Sequence, residues 1–121
     1  FEKVISQDTF KTLQEKAENS IFVHESILEY IMKIVRNTRR HPKVEVGASP
    51  RGGLALLRLS RAMALTEGRD FVIPDDVKSF ATESLSHRVI VSSEQMLEGV
   101  DAGSIIDEVV SEIETPRKYK P

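Results

Sequence analysis

The chain has 121 residues, enough for one domain with a modest core, and its composition (40% apolar, 30% charged, 6% aromatic) is that of an ordinary soluble globular protein. A formal net charge of −2 gives no electrostatic argument for nucleic-acid binding, and the absence of cysteine excludes a disulfide framework, a thiol nucleophile and a cysteine-ligated metal. No apolar run approaches the ~20 residues a membrane-spanning helix needs, and no signal peptide opens the chain, so a cytosolic protein is expected.

Taken in chain order, residues 6–19 are predicted as a first helix, with Ser6 as cap, Asp8 in the first turn and Phe10, Leu13 and Ala17 along one face. Ile21-Phe22-Val23 is a short apolar link. A second helix is predicted over 24–40, with Ile27, Leu28, Ile31, Ile34 and Val35 as its buried stripe; Arg36, Arg39 and Arg40 complement the negative pole at its end, with contact to a partner subunit or ligand as the alternative. His41-Pro42-Lys43 breaks it, because proline disfavours helical backbone in the residue before it. Val44-Glu45-Val46 alternates like a very short strand.

A third helix over 50–67 is apolar around much of its circumference, which predicts a central position with two or more helices around it. Ser49 suits its N-cap, Pro50 its first position and Gly68 the left-handed residue that stops it. Gly52 and Gly53 run against the assignment, each costing about 0.8–1 kcal/mol relative to alanine in a helix. They would let a backbone or a ligand come close, or leave the first turn loose. Pro74-Asp75-Asp76 opens a fourth helix, whose core face is Val77, Phe80, Ala81 and Leu85; Ile73 before it forfeits about 1 kcal/mol of capping.

Val89-Ile90-Val91 reads as a short extended segment that would pair with Val44-Glu45-Val46. Residues 98–103 read as a loop. Ser104 with Asp107 resembles a capping box opening a last helix, with Ile105, Ile106, Val109, Val110 and Ile113 as its stripe. Thr115-Pro116 ends it, leaving 116–121 as an exposed, flexible basic tail. The expected fold is therefore all-α: a small helical bundle of about five helices, with at most a minimal two-strand pairing.

Little here supports local chemistry. His24, His41 and His87 are too scattered for a metal site, and no serine is coupled to a histidine and an acid by local spacing. Asp75 and Asp76 are read as compensating the helix dipole. His87-Arg88 is read as a hydrogen-bonded helix end, with a contact role as the alternative. Arg58 and Arg61 lie seven and ten residues beyond Arg51; they either extend a positive strip or bridge to neighbouring acids. Arg51 itself stands in the first turn of the third helix, where the dipole disfavours a cation by about 0.3–1 kcal/mol. That placement makes sense if an anion arrives there; the alternative is a surface arginine paired with a carboxylate.

The ordered blocks Gly47-Ala48-Ser49-Pro50-Arg51, Leu54-Ala55-Leu56-Leu57-Arg58, Arg61-Ala62-Met63-Ala64-Leu65, Glu67-Gly68-Arg69-Asp70-Phe71-Val72, Pro74-Asp75-Asp76-Val77 and His87-Arg88 resemble the C-terminal helical lid of MoxR-type AAA+ ATPases. The resemblance is weaker through Val4-Ile5-Ser6, Leu28-Glu29-Tyr30-Ile31 and the stretch from Ile105 to Ile113. It departs from the family at Gly52 and Gly53, where alanine or serine is more frequent, and at Ile73, where threonine is. It implies a lid domain over 1–115 and identifies Arg51 with the sensor-2 arginine, which touches the terminal phosphate of ATP in its own or a neighbouring subunit. It further implies ATP with Mg²⁺ held by an upstream AAA+ core, a homo-oligomeric ring expected to be a hexamer, and chaperone-like remodelling of a client. Clients of the family include proteins with von Willebrand factor A domains and metalloenzymes under assembly.

The chain carries no Gly-x-x-x-x-Gly-Lys-Ser/Thr loop, begins with Phe1 and is expected to be part of a longer polypeptide, inactive as an ATPase by itself. The competing reading is a non-enzymatic helical module for protein interaction.

Overall fold

The computed structural model describes residues 20–121, so the helix expected over 6–19 lies outside the described residues. Helix α1 (Glu25–Arg40) starts after His24, whose Nδ1 accepts the Ser26 N–H at 3.0 Å. Its buried face is Ile27, Tyr30, Ile31, Ile34, Val35 and Thr38, the spacing of one helical stripe. Leu28, expected in that stripe, lies off it and is 41% exposed.

After the break at His41, strand β1 (Val44–Val46) pairs antiparallel with β2 (Ile90–Val91), Val44 opposite Val91 and Val46 opposite Ile90, with an irregularity between the two pairs. The pairing anticipated from alternation is thus present, and the Ser92 N–H extends it to the Lys43 carbonyl at 3.0 Å.

Helix α2 (Pro50–Thr66) packs against both α1 and α3 (Pro74–Leu85), the central position its sequence predicted. Its innermost residues are small: Gly52, Gly53, Ser60 and Ala64 are buried around Leu56. The Ser60 hydroxyl is satisfied by the Leu56 carbonyl at 2.7 Å. Leu54 faces outward and is 53% exposed.

Helix α2 ends in a Schellman motif. Gly68 has φ +75, its N–H bonds the Leu65 carbonyl at 3.0 Å, and the Arg69 N–H reaches the Ala64 carbonyl at 2.8 Å.

Beyond α3 come a 3₁₀ turn (Ser86–Arg88), β2, a short helix α4 (Ser93–Leu97) and α5 (Ala102–Glu112), giving five α-helices among the described residues. The sequence carried no expectation for α4. Helix α5 begins earlier than expected: its cap is Asp101, whose Oδ1 accepts the Ser104 N–H at 2.8 Å, so the Ser104–Asp107 box is not its start. Asp107 instead takes the Thr82 hydroxyl of α3 at 2.5 Å.

Helix α5 buries Ile105, Ile106 and Val109 against α3 and α1. Fully buried side chains such as Ile27, Ile34, Leu56, Leu85, Ile105 and Ile106 each contribute about 1.5–3 kcal/mol to folding.

The segment 116–121 has contacts of its own. The Ser26 hydroxyl donates to the Lys118 carbonyl at 2.6 Å, and the Tyr119 and Phe71 rings stack with centroids 6.5 Å apart.

Candidate functional site: the first turn of helix α2

Arg51 is exposed on the first turn of α2 and makes no hydrogen bond or ion pair among the described residues. The carboxylate partner that would make it a routine surface arginine is therefore lacking there. Ser49 occupies the N-cap with extended backbone (φ −88, ψ 168), yet its side chain makes no capping bond. Its carbonyl takes the Gly52 N–H at 2.9 Å instead, so the expected hydroxyl cap is replaced by a backbone turn. A guanidinium without a partner among the described residues thus stands at the positive end of a helix, an arrangement that an incoming anion would relieve.

The loop before Arg51 is fastened to the end of α1. The Ala48 N–H donates to Thr38 Oγ1 at 2.9 Å, and that hydroxyl in turn donates to the Val35 carbonyl at 2.6 Å. Arg39 Nε donates to the Ala48 carbonyl at 2.8 Å. Gly47 lies flat on α1: a Cβ there would stand 2.5 Å from the Arg39 Cα, so only glycine fits. Thr38 is not marked out by the sequence, whereas Arg39 belongs to the basic helix end for which contact with a partner or ligand is the alternative. The one signal was a threonine at the last position of an otherwise apolar stripe.

Gly52 and Gly53 resolve as packing residues. A Cβ on Gly52 would stand 3.0 Å from Leu85 Cδ2 and 3.1 Å from Arg88 Cδ; one on Gly53 would stand 3.2 Å from Val35 Cγ2. The helical cost of two glycines is accepted where α2 closes on α3 at one and on α1 at the other. The looseness they raised as an alternative has no support in this geometry.

Arg88 is brought to this turn. Its Nη1 donates to the Ser84 carbonyl at 2.7 Å and to His87 Nε2 at 2.6 Å. Because arginine only donates, the imidazole nitrogen facing it must be the acceptor.

The other arginines are placed differently. By helix geometry Arg58 and Arg61 lie about 10 and 15 Å along the axis from Arg51, too far to converge on one phosphate. Arg58 already has an interaction of its own, and Arg61 is half-buried, with its Nε enclosed and unpartnered among the described residues.

The three histidines are dispersed. His24 caps α1, and His87 meets Arg88. His41 is enclosed, with Nε2 3.3 Å from Glu108 and Nδ1 taking the Lys43 N–H at 3.1 Å. Among the described residues no three His, Asp or Glu side chains gather to hold a metal ion. An anion such as a phosphate would suit Arg51, and no metal cluster to accompany it stands among the described residues.

Asp76, read as dipole compensation, does more. Its Oδ2 accepts the Ile73 N–H at 2.9 Å, which offsets the capping that Ile73 forfeits, and both oxygens receive the Arg69 guanidinium at 2.7 and 2.8 Å. The bond to Asp76, together with charge from Asp76, Glu67 and Asp75, raises the Arg69 pKa above its ordinary value, against a smaller opposing effect of burial.

A family model described as the AAA lid domain matches residues 36–109. The chain is 42% identical over 115 residues to the uncharacterized protein YeaC of Bacillus subtilis, covering 95% of this chain and 36% of that protein. It is 30% identical to the chaperone MoxR1 of Mycobacterium tuberculosis, covering 95% of this chain and 33% of that one. A solved structure from Cytophaga hutchinsonii, assigned as an ATPase, superposes with a TM-score of 0.78 at 29% identity over 84% of this chain and 34% of its own. The chain thus spans about a third of the length of each of these relatives. With the lid model matched across its helical core and a MoxR chaperone among its relatives, the chain belongs to the AAA lid domain family as a lid of the MoxR-type AAA+ ATPases.

Proposed function

We propose that this lid senses the nucleotide of its ATPase through Arg51. The observation that carries the reading is the combination at the first turn of α2: an exposed guanidinium without a partner among the described residues, on a turn clamped by Thr38, Arg39 and Gly47. A fixed base and an exposed, permanently charged fork suit contact with the outermost phosphate.

Loss of that phosphate on hydrolysis removes the contact and frees the lid to rotate against the nucleotide-binding core, so chemistry becomes domain motion. The same charge would favour the transition state by stabilising the charge on the transferring group. The remainder of the nucleotide and its Mg²⁺ fall to an upstream AAA+ core, and the 121 residues alone, which lack a phosphate loop, do not hydrolyse ATP. The assembly is a homo-oligomeric ring, taken to be a hexamer, acting in the cytoplasm as a chaperone-like remodeller. A client with a von Willebrand factor A domain fits that role.

The test is Arg51→Ala in the full-length protein. Turnover should fall at least about tenfold, the loss of one charged donor to the reacting group, while the melting temperature of the lid stays within about 1–2 °C, as for an exposed side chain without partners. Unchanged turnover, with or without a drop in melting temperature, would overturn the reading in favour of an interaction module.

A further inference from the structure

Arg88 sits where the end of α3 meets the start of α2. Its Nη1 is tied to the Ser84 carbonyl and to His87, and its Cδ lies 3.1 Å from the position a Cβ on residue 52 would take. The side chain is thus anchored to the last turn of α3 by its head and laid across the Gly52 backbone by its stem. Leu85 closes on the same backbone. Gly52 follows Arg51 directly, so whatever fixes Gly52 fixes the direction in which Arg51 leaves the helix.

The turn has no side-chain cap of its own, because Ser49 makes none. Its position is therefore set from outside: by Thr38 and Arg39 on the α1 side, and by Leu85 and Arg88 on the α3 side.

We propose that Arg88 is the positioning residue of Arg51, acting through the Gly52 backbone to aim the guanidinium that meets the nucleotide; the proposal rests on Arg51 being the phosphate sensor. Arginine suits the task on both counts. Its head is a cation at the C-terminal end of α3, where the helix dipole favours one, and its three-carbon stem fills the space that glycine leaves open. Displacement of a catalytic group by about 1 Å can cost about a hundredfold in rate, so a contact that sets the first turn to tenths of an ångström has leverage.

A double-mutant cycle in the full-length protein tests this, reading kcat, half-saturating ATP and melting temperature for R51A, R88A and R51A/R88A, with R88K and G52A beside them. The expected result is a roughly tenfold loss of kcat in R88A and no further loss when R88A is added to R51A, since Arg88 acts only through Arg51. R88K, which keeps a stem and a donor for the Ser84 carbonyl, should recover most of the rate. G52A, whose methyl presses on Leu85 and Arg88, should imitate R88A with the fold intact. Should R88A fail to fold, R88M, which keeps the stem and lacks the donors, takes its place in the cycle.

An equal loss from R88A with and without Arg51 overturns the proposal, because Arg88 would then act independently. Full activity in R88A beside a crippled R51A also overturns it, leaving the turn aimed by the α1 side alone. A silent R51A removes the sensor reading itself, and this inference with it.

Discussion

The Arg69 guanidinium closes a two-point fork on the Asp76 carboxylate, Nη1 to Oδ2 at 2.8 Å and Nη2 to Oδ1 at 2.7 Å. Asp76 is 2% exposed and Arg69 24%, so the pair is enclosed on one side only. It joins the last residue of the α2 Schellman motif to the first turn of α3, and Asp76 also holds the Ile73 N–H. Removing the carboxylate strands both donors. Asp76→Ala is expected to lower stability by about 3 kcal/mol, the low end for breaking a buried pair because Arg69 keeps some water. Chemical denaturation of the lid checks it, and a loss below about 1 kcal/mol would mark the fork as a surface pair.

Glycine at 68 is a matter of backbone alone. Its φ of +75 is one that L side chains rarely adopt, and nothing lies within 4 Å of the position a Cβ would take. Gly68→Ala should therefore cost about 1–2 kcal/mol, with no loss of packing. Its crystal structure should show the turn unmoved.

Gly47 should behave in the opposite way. There the added methyl meets the Arg39 backbone itself at 2.5 Å, and Arg39 cannot rotate its own Cα away. Gly47→Ala must lift the loop and weaken the Arg39–Ala48 and Thr38–Ala48 bonds, costing about 1–3 kcal/mol. Full-length turnover should fall with it, since this loop is the α1-side support of Arg51. Calorimetry together with an ATPase assay would show the two losses arriving together.

Tyr30 supplies a pH dependence. Burial raises its pKa above the usual 10.0; the nearby Thr115 lowers it somewhat, and Asp75 raises it. Even so, the hydroxyl has no partner at hydrogen-bonding geometry among the described residues. The folded state holds the phenolic proton to higher pH than the unfolded state does. Stability is therefore undiminished below pH 10 and declines as pH rises above it toward the folded pKa. Denaturation midpoints measured across pH 9 to 11 should show a decline that Tyr30→Phe reduces. At neutral pH that variant is expected to be neutral to about 1 kcal/mol more stable, because it removes a buried, unpaired hydroxyl.

What could be read in the sequence divides along the reach of the interactions. The stripes of α1, α3 and α5, apart from Leu28, the left-handed stop at Gly68 and the pairing of residues 44–46 with 90–91 follow from periodicity, alternation and turn chemistry, and are present. Helix α4 was not legible: its five residues are too few for a period, and Met96 and Leu97 are 62% and 89% exposed. The start of α5 was read too late because Gly103 hid the cap at Asp101.

At the site, the location and exposure of Arg51 were legible from Ser49 and Pro50, although the cap hydroxyl goes unused. The reason for Gly52 and Gly53 was not. A helix read alone shows only their cost, and their benefit lies in Leu85, Arg88 and Val35 on other elements.

Where the chain passes Phe22, it is stitched to the α2–α3 turn: the Phe22 N–H reaches the Asp70 carbonyl at 2.7 Å, and the Val72 N–H reaches the Phe22 carbonyl at 3.0 Å. That seam lies at the opposite end of α2 from Arg51, about 24 Å away along a 17-residue helix. Helix α2 is therefore fastened at both ends, by this seam at one and by the Ala48 bonds to Thr38 and Arg39 at the other. A push on the first turn is thus carried along the helix to residues 21–23 instead of being lost at a loose end.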